Sequence, residues 1–246
     1  MKIAGSIALV TGANRGLGRA YVEALLAAGA AKVYGGARDP ASITDPRVTP
    51  IRLDVIDPAQ VAAAAAGCAD VTLLINNAGI MLATPMLADG SDEAMRREME
   101  VNVFGTLSMI RAFAPVLAAN GGGAIVNMLS VVSWFTSPFN ATYGASKRAE
   151  LAVTDGARIQ LKAQGTQVIG VYAGYIDTDM AAHVDVDKVS PHEVAEATLK
   201  GVEAGLDHVP VGARAAEIWN AQRTAPAELE AAMQRAWDAS KRAVDQ

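Results

Sequence analysis

The sequence is poor in cysteine and in clustered positive charge, and each shortage excludes a class of protein. It has one cysteine, Cys68, so no internal disulfide can form and a reducing compartment is expected. We interpret Cys68 as a packing or loop residue, because no histidine or basic cluster stands near it. The net charge is −5 and no basic run is interleaved with aromatics. This balance argues against nucleic acid or an acidic membrane surface as a partner.

Long apolar runs and linkers are also missing. No apolar run reaches the length of a membrane-spanning helix, so no membrane association is expected. The apolar run in "MKIAGSIALV" ends at "TGANRG", too soon for a signal peptide, and a cytoplasmic location is expected. No linker or shift in composition divides the 246 residues, which predicts one domain over residues 1–246. The nucleophile elbow G-x-S-x-G of serine hydrolases does not occur.

What the chain does contain is an alternation of short apolar segments and helical patterns. Six segments read as strands, and a seventh is possible near "DHVPVG"; the six are "IALVTG", "AKVYGGAR", "VTPIRLDV", "VTLLINNAG", "GAIVNMLS" and "QVIGVYAG". They are apolar almost throughout, as expected when both faces of a sheet are buried. Their alternation with helices predicts an α/β fold, a doubly wound parallel sheet of about seven strands with helices on both faces.

The stretch "TGANRGLG" follows the first strand and opens the first helix. Gly12, Gly16 and Gly18 permit a sharp turn and a close approach of a pyrophosphate, and the helix N-terminus offers free N–H groups to it. The spacing is G-x-x-x-G-x-G and differs from the common G-x-G-x-x-G. A plain glycine turn is the alternative, but the position after the first strand favours a dinucleotide site.

The end of the second strand, "GGARD", bears on which dinucleotide binds. Arg38 stands near the position that contacts the adenosine ribose, and Arg15 lies in the glycine loop. Two guanidinium groups suit the additional phosphate of NADP(H), which is therefore the predicted cofactor. Asp39 would suit NAD(H), the less favoured alternative. Two solvated surface arginines are a third interpretation.

Together these motifs resemble the short-chain dehydrogenases/reductases (SDR), a family of Rossmann-fold enzymes that move hydride between a nicotinamide and a carbonyl or alcohol. The resemblance runs from Ile7 to Thr178. The matching stretches, in the expected order, are "TGANRGLG", "LDV" with Asp54, "NNAG" at 76–79, "VNVFG" with Asn102, "NMLS" ending at Ser130, and "YGASK" with Tyr143 and Lys147. One motif departs from the family: Ala173 precedes Gly174 where a proline is usual.

The resemblance implies a set of cofactor-binding residues. They are Gly12, Asn14, Arg15, Gly16, Leu17, Gly18, Arg38, Asp54, Val55, Asn76, Ala78, Gly79, Tyr143, Lys147, Ile176 and Thr178. Asp54 is expected near the adenine, and Thr178 at the nicotinamide amide.

The resemblance also implies the catalytic residues Asn102, Ser130, Tyr143 and Lys147. Tyr143 and Lys147 are four residues apart on one predicted helix and so share a face. A free tyrosine has a pKa of roughly 10, and a nearby ammonium would let it act as general acid/base closer to neutral pH. Ser130 would hydrogen-bond the substrate oxygen, and Asn102 would keep a water in a proton relay. Each is otherwise an ordinary packing or surface residue.

The residues after Ser130 indicate the substrate pocket. Trp134 is predicted to contact substrate together with Ser130 and Tyr143. Phe135 and Phe139 follow it in a chain with only three tryptophans, five tyrosines and four phenylalanines. With Met81 and Met86 these side chains predict a largely apolar pocket; the alternative is that they belong to the core or to an interface.

Residues 178–190 are predicted to form a lid over cofactor and substrate, and 213–246 a helical tail. His183 in the lid is a candidate substrate contact, although a solvated loop histidine is the plainer interpretation. His192 and His208 lack the spacing of metal ligands, so no metal is predicted.

The resulting prediction is an NADPH-dependent carbonyl reductase acting on a small, apolar ketone, aldehyde or secondary alcohol. By resemblance it would form homodimers or homotetramers through the helices that carry Asn102 and Tyr143. The alternatives are an NAD(H)-dependent secondary alcohol dehydrogenase and a non-catalytic dinucleotide-sensing protein. The last would be expected to lack Ser, Tyr or Lys at the catalytic positions, and all three are present.

Overall fold

The computed structural model describes residues 1–182 and 184–244, which are built around a parallel sheet of seven strands. The strands are β1 (Ile7–Thr11), β2 (Lys32–Ala37), β3 (Val48–Arg52), β4 (Leu73–Asn76), β5 (Gly123–Met128), β6 (Thr166–Ala173) and β7 (His208–Val211). Their order across the sheet is β3-β2-β1-β4-β5-β6-β7. The predicted doubly wound α/β fold is confirmed, including the seventh strand.

In the described part of the chain, eight α-helices connect and cover the strands. They are α1 (Gly16–Ala27), α2 (Pro58–Gly67), α3 (Ser91–Glu98), α4 (Thr106–Ala119), α5 (Ala141–Leu161), α6 (Pro191–Ala204), α7 (Ala213–Thr224) and α8 (Pro226–Val244). The residues of the predicted helical tail form α7 and α8. Each of α2 and α6 begins with a proline after a capping side chain, Asp57 or Ser190, which accepts hydrogen bonds from first-turn N–H groups.

The central strands are apolar because both faces of the sheet are buried there, whereas the edge strand β3 exposes Thr49, Pro50 and Arg52. Successive side chains alternate between the faces, so Val10 packs with α1 and α6 while its neighbour Leu9 packs with α2 and α4. Both side chains are fully buried. A third cluster, on β6 and α7, holds Trp134, Tyr172 and Trp219.

The strand order reverses beside β1, which pairs with β2 on one side and with β4 on the other. The connection after β1 leads to β2 on one side of the sheet, and the connection after β4 leads to β5 on the other side. A crevice opens between these two connections, at the carboxyl ends of the strands. In open α/β sheets, ligands bind at such a switch point. The glycine loop after β1 and the "NNAG" stretch after β4 both lie there.

A continuous helical run, Ser91–Ala119, contains α3, a π-helical segment at Met99–Gly105, and α4. Its composition and length would let it cross a membrane, with a mean hydropathy of 1.5 over its most apolar window. Here the apolar side chains of Met109, Phe113 and Leu117 are fully buried in the core of the protein. Packing against the sheet thus accounts for the apolar character of this helix.

Candidate active site

The glycine loop has the backbone geometry that the sequence predicts. Gly12 and Gly16 have φ values of +66° and +50°, which favour glycine. A Cβ on Gly18 would lie 2.0 Å from the carbonyl oxygen of Gly12, so only glycine fits. Arg15 is the N-cap of α1 and makes no side-chain capping bond. The first-turn N–H groups of α1 thus lack a side-chain cap at the point where a pyrophosphate would approach.

Thr11 and Asn77 tie the ends of β1 and β4 together behind this loop. The Thr11 hydroxyl accepts hydrogen bonds from the N–H groups of Asn77 and Ala78, each at 2.9 Å. The Asn77 amide donates to the Thr11 carbonyl, also at 2.9 Å. Asn76, predicted to bind cofactor, instead turns its side chain into the sheet and donates to Asn127. Asn77, which joins β1 to β4, was not predicted as a site residue, because the "NNAG" motif does not show which of its two asparagines faces the crevice.

At the end of β2 the structure separates the roles of Arg38 and Asp39. The Asp39 carboxylate accepts a hydrogen bond from Ala41 N–H at 3.1 Å and caps a short 3₁₀ turn. One of its oxygens is therefore engaged within its own turn. Arg38 is exposed. Arg52, which the sequence analysis did not single out, donates to the Arg38 carbonyl at 3.0 Å and adds positive charge at this corner.

The remaining predicted adenosine contacts follow β3. Asp54 is half-buried, and one of its carboxylate oxygens accepts a hydrogen bond from Ile56 N–H at 3.2 Å. Val55 is buried against Gly105, where a Cβ would come within 2.7 Å of the valine side chain. These two residues close the side of the crevice next to the π-helical segment.

Ser130, Tyr143 and Lys147 converge at the carboxyl end of β5. Ser130 follows β5 and caps a 3₁₀ turn. Tyr143 and Lys147 lie on one face of α5, with the Lys147 ammonium 5.8 Å from the centre of the Tyr143 ring. The ammonium donates to the Met128 carbonyl at 2.8 Å and to the Glu150 carboxylate at 2.7 Å. Lys147 is thus held on the tyrosine side of the helix, close to Gly79.

Asn102 lies in the π-helical segment, fully buried, and joins three elements. Its amide donates to the Ile80 carbonyl at 2.9 Å and to the Ser146 hydroxyl at 3.0 Å, and its oxygen accepts from Ile80 N–H at 2.9 Å. Ser146 in turn donates to the Tyr143 carbonyl. The side chain of Asn102 therefore fixes the loop after β4 against the catalytic helix, and the predicted water relay stays a prediction.

Burial and charge act in opposite directions on Tyr143, the predicted catalytic tyrosine. Burial raises the pKa of the Tyr143 phenol, and the ammonium of Lys147 opposes this rise. The carboxylates of Glu150 and Glu98 reinforce the rise, and the Ser130 hydroxyl lowers the pKa. The net direction is upward, so the phenol holds its proton at neutral pH. Burial disfavours charge on Lys147, but the Glu150 carboxylate outweighs it and raises the ammonium pKa.

The aromatic residues after Ser130 pack with residues of β6, α7 and α8. Trp134 is buried and stacks on Tyr172 at 4.0 Å between ring centres, with Trp219 at 4.8 Å. A cavity of about 540 Å³ lies beyond it, under α8. Its apolar wall includes Trp134, Phe135, Pro138, Leu229, Met233 and Trp237. Neither Ser130 nor Tyr143 is among its described lining residues, so the contact of Trp134 with substrate stays a prediction.

The other apolar residues predicted to line the substrate pocket differ in how far they are exposed. Met86 and Phe139 are about two-fifths exposed, whereas Met81 is half-buried on the loop after β4. Phe139 packs edge-on against Trp237 of α8. Phe139 therefore serves the contact with α8.

Residues of the predicted lid touch the glycine loop. A Cβ on Gly16 would lie 3.3 Å from the Thr178 methyl group, and Arg15 forms an exposed ion pair with Asp179 at 3.1 Å. Ile176 bridges to Val189 across the base of the segment. His183 lies outside the described residues. Within the described ranges no group of histidine, cysteine and carboxylate side chains is arranged to hold a metal.

The family model described as short chain dehydrogenase matches residues 6–188, most of the chain. The chain belongs to the short-chain dehydrogenase family. A short chain dehydrogenase of Monascus purpureus is 32% identical over 201 residues, covering 74% of this chain and 69% of the relative. A sorbitol dehydrogenase of Cereibacter sphaeroides is 32% identical over 195 residues, covering 75% and 76%.

A crystal structure of a short chain dehydrogenase from Burkholderia cenocepacia, in complex with NADP, is also similar. Its TM-score is 0.92 at 46% identity, covering 95% of this chain and 99% of the other. The predicted family membership is confirmed, and with it the general class of oxidoreductase. The bound NADP in that structure agrees with the cofactor predicted from Arg15 and Arg38.

Proposed function

We propose that this short-chain dehydrogenase is an NADP(H)-dependent oxidoreductase that interconverts a ketone or aldehyde and the corresponding alcohol. The observation that carries the proposal is the meeting of Ser130, Tyr143 and Lys147 at the end of β5, with the ammonium 5.8 Å from the phenol ring. The alternative, in which Lys147 is an ordinary surface residue, does not agree with its burial. A buried ammonium beside a phenol suits proton transfer to and from a substrate oxygen.

The residues present fit NADP(H). Gly18 leaves backbone space for a pyrophosphate, and α1 presents first-turn N–H groups without a side-chain cap. Arg38, with Arg52 beside it, supplies positive charge for the additional phosphate, because Asp39 is engaged by its own 3₁₀ turn. The NADP bound by the Burkholderia cenocepacia protein supports the same choice.

The bound nicotinamide supplies hydride transfer to or from the substrate carbon. The protein side chains orient the substrate and move the proton. Tyr143 donates its proton to the carbonyl oxygen in reduction and accepts it from the alcohol in oxidation. Ser130 stabilises the charge that develops on that oxygen. Because the pKa of Tyr143 is raised, reduction is favoured on the acid side and alcohol oxidation increases with pH.

The test is oxidation of NADPH, and separately of NADH, across a panel of apolar ketones, aldehydes and keto sugars, with Tyr143→Phe in parallel. We expect turnover with NADPH above NADH. The phenylalanine variant should lose about 10²–10⁴-fold in kcat while still binding NADPH. Turnover that survives in this variant would remove Tyr143 as the acid. NADPH that binds without any turnover would point to the non-catalytic alternative, and NADPH that fails to bind would point to another cofactor.

The reverse reaction needs its own panel of secondary alcohols. The relative named sorbitol dehydrogenase supports including polyols beside apolar alcohols. Turnover of polyols alone would replace the proposed apolar substrate with a hydroxylated one. We further propose a cytoplasmic location and a homodimeric or homotetrameric state. Size-exclusion chromatography with light scattering tests the oligomeric state directly.

A further inference from the structure

A buried carboxylate touches the ammonium of Lys147 and lies outside the predicted catalytic residues. Glu150 is on α5, one turn after Lys147, and is 1% exposed. One carboxylate oxygen accepts from the Lys147 ammonium at 2.7 Å, and the other accepts from the Thr106 hydroxyl at 3.1 Å. Burial raises the pKa of the Glu150 carboxyl, while the Lys147 ammonium and the Thr106 hydroxyl oppose that rise. With one of these donors on each oxygen, the geometry is that of a carboxylate ion. Burying an ion pair is costly, so its position beside the reacting tyrosine calls for a reason.

The first effect of Glu150 is on the position of the ammonium. Of the three N–H donors on Lys147, one is directed at the Met128 carbonyl and one at Glu150. A Cβ on Gly79 would lie 3.7 Å from the same nitrogen. The ammonium is thereby held at the mouth of the crevice with one donor left for a ligand. Without Glu150 it would lose one of its two fixed partners.

The second effect is on charge. The ionisable side chains that act on Tyr143 are Lys147 and Glu150 from its own helix and Glu98 from α3. Glu98 is fully buried, and it accepts a hydrogen bond from Leu82 N–H at 2.7 Å. An unbalanced ammonium would strongly favour the phenolate. Glu150 opposes that field, so the phenol keeps its proton to a higher pH.

We propose that Glu150 is a positioning residue that holds Lys147 in place and, by balancing its charge, sets the pH range in which Tyr143 exchanges its proton. The inference rests on the proposed function of Tyr143 as acid and base. Removing the carboxylate makes loss of a proton from the coupled Tyr143–Lys147 pair easier, because the remaining cluster is more positive.

The test is a titration of the Tyr143 phenol by near-ultraviolet difference absorbance, with each protein referenced to the same protein carrying Tyr143→Phe. In Glu150→Gln the phenolate should form at a pH lower by at least about half a unit. Glu150→Asp, the matched control, keeps the charge and should stay within that margin of the wild type. A smaller shift in the glutamine variant, or an equal shift in the aspartate variant, would overturn the proposal.

Glu150→Gln leaves a buried ammonium unpaired and is at risk of misfolding. The double variant Lys147→Met/Glu150→Leu removes both charges, a change that buried ion pairs often tolerate. If Glu150 balances Lys147, the phenol midpoint of the double variant rises by less than about one unit. If Lys147 acts alone, the midpoint rises by one unit or more and the proposal fails.

This titration needs neither cofactor nor substrate, so it separates the two proposals. A wild-type protein without turnover whose phenol still responds to Glu150→Gln would contradict the proposed function alone. An active wild type whose phenol ignores the substitution would contradict the role of Glu150 alone. In an active enzyme, the pH profile of kcat/KM for alcohol oxidation should move by the same amount as the absorbance midpoint.

Discussion

At the scale of single residues, the end of β2 shows how a neighbour decides what a charged side chain can do. Arg38 and Asp39 are adjacent in sequence and both exposed, but one carboxylate oxygen of Asp39 accepts a hydrogen bond from Ala41 N–H. From the sequence, Arg38 favours NADP(H) and Asp39 would suit NAD(H). The sequence does not show that Asp39 caps the next turn, because that contact depends on how the turn folds. The hydrogen bond therefore strengthens the prediction of NADP(H).

Arg38→Ala should weaken NADPH binding by about 10- to 100-fold, because a charge-assisted hydrogen bond contributes roughly 1.5–3 kcal/mol. NADH affinity should change by less than about two-fold, since NADH lacks the additional phosphate. Fluorescence titration of each reduced cofactor measures both. Arg47→Ala is the control, as Arg47 is exposed and pairs with Asp45. Equal losses for the two cofactors would show that Arg38 does not contact the phosphate.

Cys68 gives a pH-dependence of a different origin. Burial raises the pKa of its thiol to about 11 from an ordinary value of 9.0. The folded state therefore keeps the thiol proton where the unfolded state loses it, and stability that is complete below pH 9 declines as pH rises toward 11. Between pH 8 and 10 the loss from this group should be about 1.4 kcal/mol.

Urea unfolding at both pH values, on wild type and Cys68→Ala, measures this difference. The alanine variant should be less stable at pH 8 because of its cavity, but its stability should decline less between the two pH values. The tyrosines titrate in both proteins and cancel in the comparison. Parallel declines in the two proteins would refute the assignment to Cys68.

At the scale of elements, two helical glycines have opposite surroundings. A Cβ on Gly201 of α6 would lie 2.4 Å from the buried side chain of Val209 on β7, whereas a Cβ on Gly156 of α5 would meet nothing within 4 Å. Gly201→Ala should destabilise the protein by about 1–3 kcal/mol through overpacking. Gly156→Ala should stabilise it by about 0.5–1 kcal/mol and raise Tm by roughly 2 °C.

Thermal unfolding followed by circular dichroism compares the two substitutions, which make the same chemical change in a helix. A decrease in Tm for Gly156→Ala would mean that another surface covers α5 at that point in solution. An unchanged Tm for Gly201→Ala would mean that β7 moves to accept the methyl group.

The elements themselves were largely predictable, and the exceptions are informative. Runs such as "IALVTG" and "QVIGVYAG" identify strands because both faces are buried and no polar residue interrupts them. The π-helical segment at Met99–Gly105 was not predicted, since its hydrophobic period differs little from that of an α-helix. The partners of Glu150 and Asn102 were also beyond prediction, because Thr106 and Ile80 are brought to them only by tertiary packing.

At the scale of the whole molecule, α8 is peripheral. None of its described residues belongs to the three core clusters, and it contacts mainly α7 and the turn at Pro138–Asn140. A chain ending at Ala225 should therefore still unfold cooperatively. It should expose Trp134 and Phe135, which line the cavity under α8, and bind a hydrophobic dye more strongly than the full chain. Loss of the cooperative urea transition would show that α8 is required for the fold.

The order of the strands also governs the sequence of events during synthesis. The three strands β3, β2 and β1 are complete by Arg52, and β4 then occupies the free side of β1. Each later strand adds beside the one made just before it, so the growing chain meets its partners in the order in which they leave the ribosome. The glycine loop emerges long before Tyr143. A nascent chain therefore completes the glycine-loop side of its crevice while the residues proposed to transfer the proton are still unmade.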